Sequence, residues 1–301
     1  MGLEGIITHL QRFSLDDGPG IRTTVFFKGC NLACAWCHNP ENISREKQLK
    51  FNRVTCTGCG LCRKVCPQQV HSFQGETHLL NREKCDFCGA CLQVCPTASL
   101  QVIYASYSPE QLMEEIMKDS SYYRQSEGGV TFSGGEPLLQ LDFLAVMLDK
   151  CQKAGIHTAV DTAVNVPFNY LERILDKTDL FLIDYKLADE LKHREATGVT
   201  NSLIYENIIK LSELSVNIWL RIPIIPSYHN LEEIAAIAKK LGKLNNIIRI
   251  ELLPYHRYGL SKYEALGKPY LLPDEVVPDR ELLEKMAECL KACCKTVVIG
   301  S

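Results

Sequence analysis

A duplicated cysteine spacing restricts this chain more than any other feature. Cys56, Cys59, Cys62 and Cys66 are followed by Pro67, and Cys85, Cys88, Cys91 and Cys95 by Pro96. The two C-x2-C-x2-C-x3-C-P runs stand at a constant offset of 29 residues, so the stretch is an internal duplication. A short segment this rich in thiols has little apolar core of its own, and bound metal is what holds such a segment together. Three closely spaced thiolates can wrap one cubane, while the fourth, ahead of a proline turn, points away and reaches a neighbouring one. The spacing therefore predicts two 4Fe–4S clusters. One falls on Cys56, Cys59, Cys62 and Cys95, the other on Cys66, Cys85, Cys88 and Cys91. The alternative is a pair of structural zinc sites, which usually separate two C-x2-C pairs by a dozen or more residues.

A further triplet stands upstream. Cys30, Cys34 and Cys37 form C-x3-C-x2-C, with Trp36 just before the third cysteine and no fourth ligand in register. Three thiolates on a cubane leave one iron without a protein ligand, and an open coordination position separates a catalytic metal site from a structural one. A zinc site completed by His38 is the alternative. The remaining cysteines, Cys151, Cys289, Cys293 and Cys294, follow no ligand spacing. The first three fall on helical patterns and are expected as small core residues.

Hydrophobic residues make up 46% of the 301 residues, enough for one large α/β domain with a small insert. Beyond about residue 105 the pattern alternates. Period-3.6 apolar faces predict helices over 109–118, 141–153, 231–241 and 280–294. Short apolar runs predict strands at 130–132, 157–160, 180–183, 216–220 and 247–253, besides 23–27 near the start. Uninterrupted apolar runs suit a parallel sheet buried on both faces. About six βα units result, short of the eight that close a barrel. The expected fold is an open, partial (β/α)6 TIM-like barrel over residues 1–46 and 105–301, with a ferredoxin-like domain inserted at 47–104. Four strands run into polar residues: Ser133-Gly134-Gly135-Glu136-Pro137, Asp161, Asp184-Tyr185-Lys186, and Tyr255-His256 after Pro254. The carboxyl ends of parallel strands carry the chemistry in such folds.

The charge balance, 33 basic against 36 acidic residues, makes no electrostatic case for nucleic acid or an anionic membrane as partner. No apolar run is long enough to span a bilayer, and MGLEGIITHL has neither a basic n-region nor a long h-region. A cytoplasmic setting is expected, where clustered thiols mean metal or redox chemistry rather than disulfides.

The triplet is the signature of the radical S-adenosylmethionine (SAM) superfamily, and the whole chain resembles the glycyl radical enzyme activating enzymes. The likeness runs through Asp17-Gly18-Pro19-Gly20-Ile21-Arg22-Thr23, Phe26-Phe27-Lys28-Gly29-Cys30, Trp36-Cys37-His38-Asn39-Pro40, Ser133 to Pro137, Asp184 to Lys186 and Leu253 to His256. The insert resembles the subgroup that activates dehydratases, lyases and decarboxylases. The resemblance implies three 4Fe–4S clusters, with the one on Cys30, Cys34 and Cys37 reductively cleaving SAM. The resulting 5′-deoxyadenosyl radical takes a hydrogen atom from a glycine of a large partner enzyme, and an incomplete barrel leaves room for that partner's loop.

It also implies roles for other residues. Gly134, Gly135 and Glu136 would bind the methionine amino group, with Asp184 beside them, and Lys186 the carboxylate. Asp161 would bind the ribose and His256 the adenosine, with Trp36 packed beside the cluster. His38 and Tyr185 are further cofactor-binding candidates. Asp161, Thr162 and Asp184 are candidates to surround a monovalent cation. Arg221 faces either the SAM pocket or an acid. Flavodoxin or ferredoxin is the expected electron donor, and the insert's clusters either relay electrons, support structure or help dock the partner. A small-molecule radical SAM enzyme and a three-cluster electron-transfer protein are the rival readings.

Overall fold

The computed structural model describes residues 2–244 and 246–300. The described strands are β1 (Gly5–Ser14), β2 (Arg22–Phe27), β3 (Gln48–Phe51), β4 (His71–Gln74), β5 (Thr77–Leu80), β6 (Leu100–Ile103), β7 (Ala105–Tyr107), β8 (Gly129–Gly134), β9 (His157–Thr162), β10 (Leu180–Asp184), β11 (Ile218–Ile224), β12 (Ile247–Pro254) and β13 (Val297–Ile299). Nine of them form one sheet in the order β13-β12-β11-β10-β9-β8-β2-β1-β7. From β2 to β13 every neighbouring pair is parallel. The α/β class and the mostly parallel sheet are as expected. β7 and β13 are the two edges, so the sheet is open.

The apolar runs explain this layout. β2 is buried along its whole length, and Val130, Phe132, Val160, Phe181, Ile183, Leu220 and Leu252 are fully buried. Helices cover these strands with apolar stripes. Leu144, Met147, Leu148 and Cys151 turn inward from the helix Leu141–Lys153, and Ile234, Ile237 and Leu241 from the helix Leu231–Leu241. Burying a large aliphatic side chain of this kind stabilises by about 1.5–3 kcal/mol. Cys151 and Cys294 are buried core residues, and Cys289 and Cys293 pack against the same core.

Three differences from the sequence expectation have local causes. β1 and β7 join the sheet antiparallel and were not anticipated. β1 has only partial alternation along an edge-proximal strand, and three-residue β7 is too short to show a period. β11 runs from Ile218 to Ile224, not from 216 to 220, because its pairing with β12 continues through Pro223 and Ile224. The last long helix stops at Leu290, four residues short of the expected end.

Residues 47–104 make two small antiparallel ladders, β3 with β6 and β4 with β5. Each cysteine run contributes a short helix, Leu61–Val65 and Ala90–Gln93, entered through a glycine in the left-handed region, Gly60 (φ 72°) and Gly89 (φ 80°). The duplication in sequence is thus a duplication in backbone. Leu49, Phe51, Val70 and Leu100 form a separate apolar cluster with Cys62 and Cys91. Arg82 ties the segment to the large sheet's unit, donating to Leu49 O (3.2 Å) and Ala265 O (2.9 Å). Among the described residues no helix is long and apolar enough to cross a membrane.

Candidate active site

A cavity of about 410 Å³ opens at the carboxyl ends of the parallel strands. Cys30, Cys34 and Cys37 line it, on the loop that follows β2. Main-chain hydrogen bonds hold much of that loop, and Asn31 Nδ2 adds one to Asn165 O at 2.6 Å. Gly29 and Cys30 donate to Asn42 O (2.8 Å) and Ile43 O (3.0 Å), and Ala33 and Ala35 to Thr197 O and Ala196 O (both 2.8 Å). Burial pushes the Cys30 and Cys37 thiols up to about 12. Thiolates at this depth need a cation to replace the proton, which is what a metal supplies.

The next strand brings two glycines against this loop. Gly134 has φ 112°, and a Cβ on it would sit 2.3 Å from Phe27 N; one on Gly135 would sit 2.1 Å from Gly29 O. Gly135 N and Glu136 N donate to Phe27 O and Gly29 O, at 2.9 and 2.8 Å. Gly134 and Gly135 line the cavity. Glu136 lies behind them, almost wholly buried. Its carboxylate accepts from Thr162 Oγ1 (2.7 Å), Ala163 N (3.0 Å) and Leu138 N (3.2 Å). Burial pushes its pKa up to about 7. In this arrangement Glu136 ties β8 to β9.

Asp161, Asp184, Lys186 and His256 all line the cavity. Asp161 accepts from Ser133 Oγ at 2.6 Å. Lys186 Nζ lies 2.6 Å from Asp184 Oδ2. Burial opposes the Lys186 charge, but Asp184 and Cys34 outweigh it and hold the ammonium above its ordinary pKa. Period 2 turns Tyr185 to the other side, into the main core, with its hydroxyl unpaired and its ring centroid 6.2 Å from that of Tyr205. His38 stacks on His256, with ring centroids 3.9 Å apart, and its Nε2 meets His256 O at 3.1 Å. Burial lowers the His38 pKa to about 4, so the ring is neutral. Trp36 lines the cavity and packs on Tyr228.

Arg221 both faces the cavity and pairs with acids. It lies 3.4 Å from Asp161, 3.2 Å from Glu251 and 3.7 Å from Asp17, and donates to Asp16 O. Burial opposes its charge, but Asp161 and Asp17 outweigh it and raise its pKa. Sequence reasoning gave no role to Asp16, Gln11 or Ser14, which line the same cavity. Asp17 carried a signal in the Asp-Gly-Pro-Gly segment; the others carried none.

Two smaller cavities lie in the segment 47–104. One is lined by Cys56, Cys59, Cys62 and Cys95, the other by Cys66, Cys85, Cys88 and Cys91. Each run therefore lends its fourth cysteine to the other's cage. Every one of these thiols is free of disulfide bonding.

A domain model described as a 4Fe-4S single cluster domain matches residues 16–204. The chain is 42% identical to the trans-4-hydroxy-L-proline dehydratase activating enzyme of Clostridioides difficile over 299 residues, covering 98% of this chain and 99% of that one. This chain belongs to the glycyl radical enzyme activating enzymes. A second member, the 4-hydroxyphenylacetate decarboxylase activating enzyme of C. difficile strain CD196, is 40% identical over 95% of this chain and 93% of its own length. Among solved structures, a domain of pyruvate-formate lyase-activating enzyme from Bacteroides vulgatus is 31% identical. It superposes with a TM-score of 0.50, covering 58% of this chain and 99% of that domain. The family's members are radical SAM oxidoreductases, and this chain is one of them.

Proposed function

We propose that this chain uses the cavity at the strand ends to generate a radical from SAM and to place it on a glycine of a large partner enzyme. The observation that carries the reading is convergence: the cysteine triplet, the Gly134-Gly135 turn, the Asp184–Lys186 pair and His256 come from separate elements and line one cavity. Cys30, Cys34 and Cys37 would hold a 4Fe–4S cluster, which would supply the electron for reductive cleavage of bound SAM to methionine and a 5′-deoxyadenosyl radical. The chain's own residues bind and orient. Lys186 is a buried, charged donor suited to the methionine carboxylate, and Asp184 with the Gly134-Gly135 backbone suits the amino group. Asp161 suits the ribose hydroxyls. His256, backed by neutral His38, suits the adenosine. Asp161, Thr162 and Asp184 together present oxygen atoms for a monovalent cation. An open sheet, read as a partial (β/α)6 barrel, leaves a way in for the partner's glycine loop. Two relatives act with a dehydratase and a decarboxylase, by their names, and a partner of dehydratase, lyase or decarboxylase type follows.

Anaerobic incubation of the reconstituted chain with SAM, a reductant and candidate glycyl radical enzymes tests this. A glycyl radical signal by EPR is the expected result. SAM cleavage that never gives a protein radical would favour a small-molecule enzyme, and no cleavage at all an electron-transfer protein. Lys186→Met should weaken SAM binding roughly 10- to 100-fold, the worth of one hydrogen bond to a charged group. Calorimetric titration of the reconstituted protein checks it, and unchanged affinity would remove Lys186 from the site.

The segment 47–104 is read as a ferredoxin-like domain with two further clusters, supported by its two four-cysteine cages. Reconstituted protein should then hold about twelve irons per chain. About four irons, with zinc making up the rest, would refute the ferredoxin reading. Electron relay from flavodoxin or ferredoxin is the role all-cysteine ligation suits. Cys59→Ala or Cys88→Ala should slow SAM cleavage with a protein reductant and spare it with a small chemical one. Equal activity with both would exclude relay.

A further inference from the structure

Two buried histidines stand between the cysteine cages, and neither the ligand spacing nor the proposed reaction uses them. His78 lines the cage of Cys56, Cys59, Cys62 and Cys95; His71 lines the other. They are 5% and 3% exposed, on the paired strands β5 and β4. His71 Nδ1 lies 3.0 Å from His78 Nε2. On its far side, His78 Nδ1 lies 3.6 Å from Cys56 Sγ, while His78 Nε2 is 3.8 Å from Cys62 Sγ. Phe73 stacks on the His78 ring and Phe51 meets it edge-on, both with centroids at 4.6 Å, so the ring is clamped.

The proton positions follow from the partners. An iron-bound cysteine is a thiolate and can only accept. A neutral imidazole carries one N–H. If His78 holds it on Nδ1, it donates to Cys56, and its Nε2 is left to accept from His71 Nδ1–H. His71 Nε2 is then a bare lone pair, and that atom is indeed buried without a hydrogen-bond partner. The opposite assignment points a lone pair at a thiolate and leaves a buried N–H unpaired, the costlier defect.

The pair breaks the symmetry of the duplication. Backbone donors recur in both copies: Val70 N on Cys66 and, 29 residues on, Ser99 N on Cys95. The histidines do not. Leu100 stands where the second copy would repeat His71, and Tyr107 where it would repeat His78.

We propose that the His71–His78 pair makes the two cages unequal: His78, oriented by His71, donates to the Cys56 thiolate and raises the reduction potential of a 4Fe–4S cluster there above that of its twin. This rests on the reading that both cages hold clusters. Hydrogen bonds to the sulfurs are one of the levers that set such potentials, because they stabilise the extra negative charge of the reduced state. His71 is a positioning residue, acting only through His78.

The test is an EPR-monitored redox titration of the full chain carrying Cys30→Ala, Cys34→Ala and Cys37→Ala, where the insert's clusters alone give the signal. His78→Phe should lower the reduction equilibrium constant of one cluster about tenfold, 59 mV for a one-electron couple, and leave the other unmoved. His78→Asn, whose amide nitrogen can take the place of Nδ1, should restore it, and His71→Phe should give a smaller loss. A check that needs no substitution is the otherwise unmodified holoenzyme labelled with [15N]histidine, in which one reduced cluster should show a 15N hyperfine coupling. Twelve irons with no coupling, with unchanged potentials in His78→Phe, or with both clusters shifted equally would overturn the inference alone. A zinc ion on Cys62, His71 and His78, whose donor atoms lie within 4.8 Å of one another, would overturn it in favour of a mononuclear site. About four irons per chain would overturn the cluster reading and the inference with it.

Discussion

Replacing Cys30, Cys34 and Cys37 together by Ala should reduce 5′-deoxyadenosine production to background while about eight irons remain on the chain. Among the described residues, the three thiols are the only cysteines that line the large cavity. Their loop is anchored through main-chain bonds from Gly29, Cys30, Ala33 and Ala35, none of which involves a thiol, so the variant should keep its fold. The cages of the segment 47–104 share no ligand with it. Chromatography of the nucleoside product and an iron assay measure both halves of the result. Product at the native rate would show that SAM is cleaved elsewhere.

Gly134→Ala should cost stability and activity together. Its φ of 112° is a conformation that side chains rarely adopt, and the new Cβ would meet Phe27 N at 2.3 Å. Phe27 and Gly134 are register partners at the ends of β2 and β8, so neither strand can withdraw without opening the ladder beneath the cysteine loop. Backbone strain of this kind costs of order 1–3 kcal/mol, and overpacking a similar amount. A combined loss of ~3–5 kcal/mol is a large share of a typical domain's stability. Gly155→Ala is the control. It also has a positive φ, 66°, but nothing stands within 4 Å of its Cβ, so only the conformational cost applies. Anaerobic thermal unfolding should place Gly134→Ala well below Gly155→Ala. If the two unfold alike, the close approach of β2 to Gly134 is not a constraint on the fold.

Some of the site was legible because its information is local. The spacing of Cys56, Cys59 and Cys62 is one turn of chain around one cage, and the Pro after Cys66 sends that thiol to the other. Asp184 and Lys186 share a side of an extended chain by period 2, and the structure joins them at 2.6 Å. The same period explains why Tyr185, between them, is turned into the core.

Other parts had no local signature. The long stretch from Phe27 to Gly129 says nothing of how β2 and β8 meet, and the inward turn of Glu136 depends on Thr162 at the end of β9 and Ala163 just after it. Arg221 was readable only as a charge after an apolar run. Its partners Asp17, Asp161 and Glu251 come from the loop after β1, from β9 and from β12, and only strand order brings them within reach. β1 and β7 were invisible for want of length or contrast, though they set one edge of the sheet.

By itself, then, the sequence determined the grouping of the cysteines, the alternation of strand and helix, and the polar residues at the strand ends, because each depends on neighbours a few positions apart. Tertiary structure alone decided which charges meet in the cavity, that Glu136 lies behind it, and that His71 and His78 touch between the cages. Those outcomes depend on register and sheet order, where contacts between residues distant in sequence are chosen by the packing of the whole core.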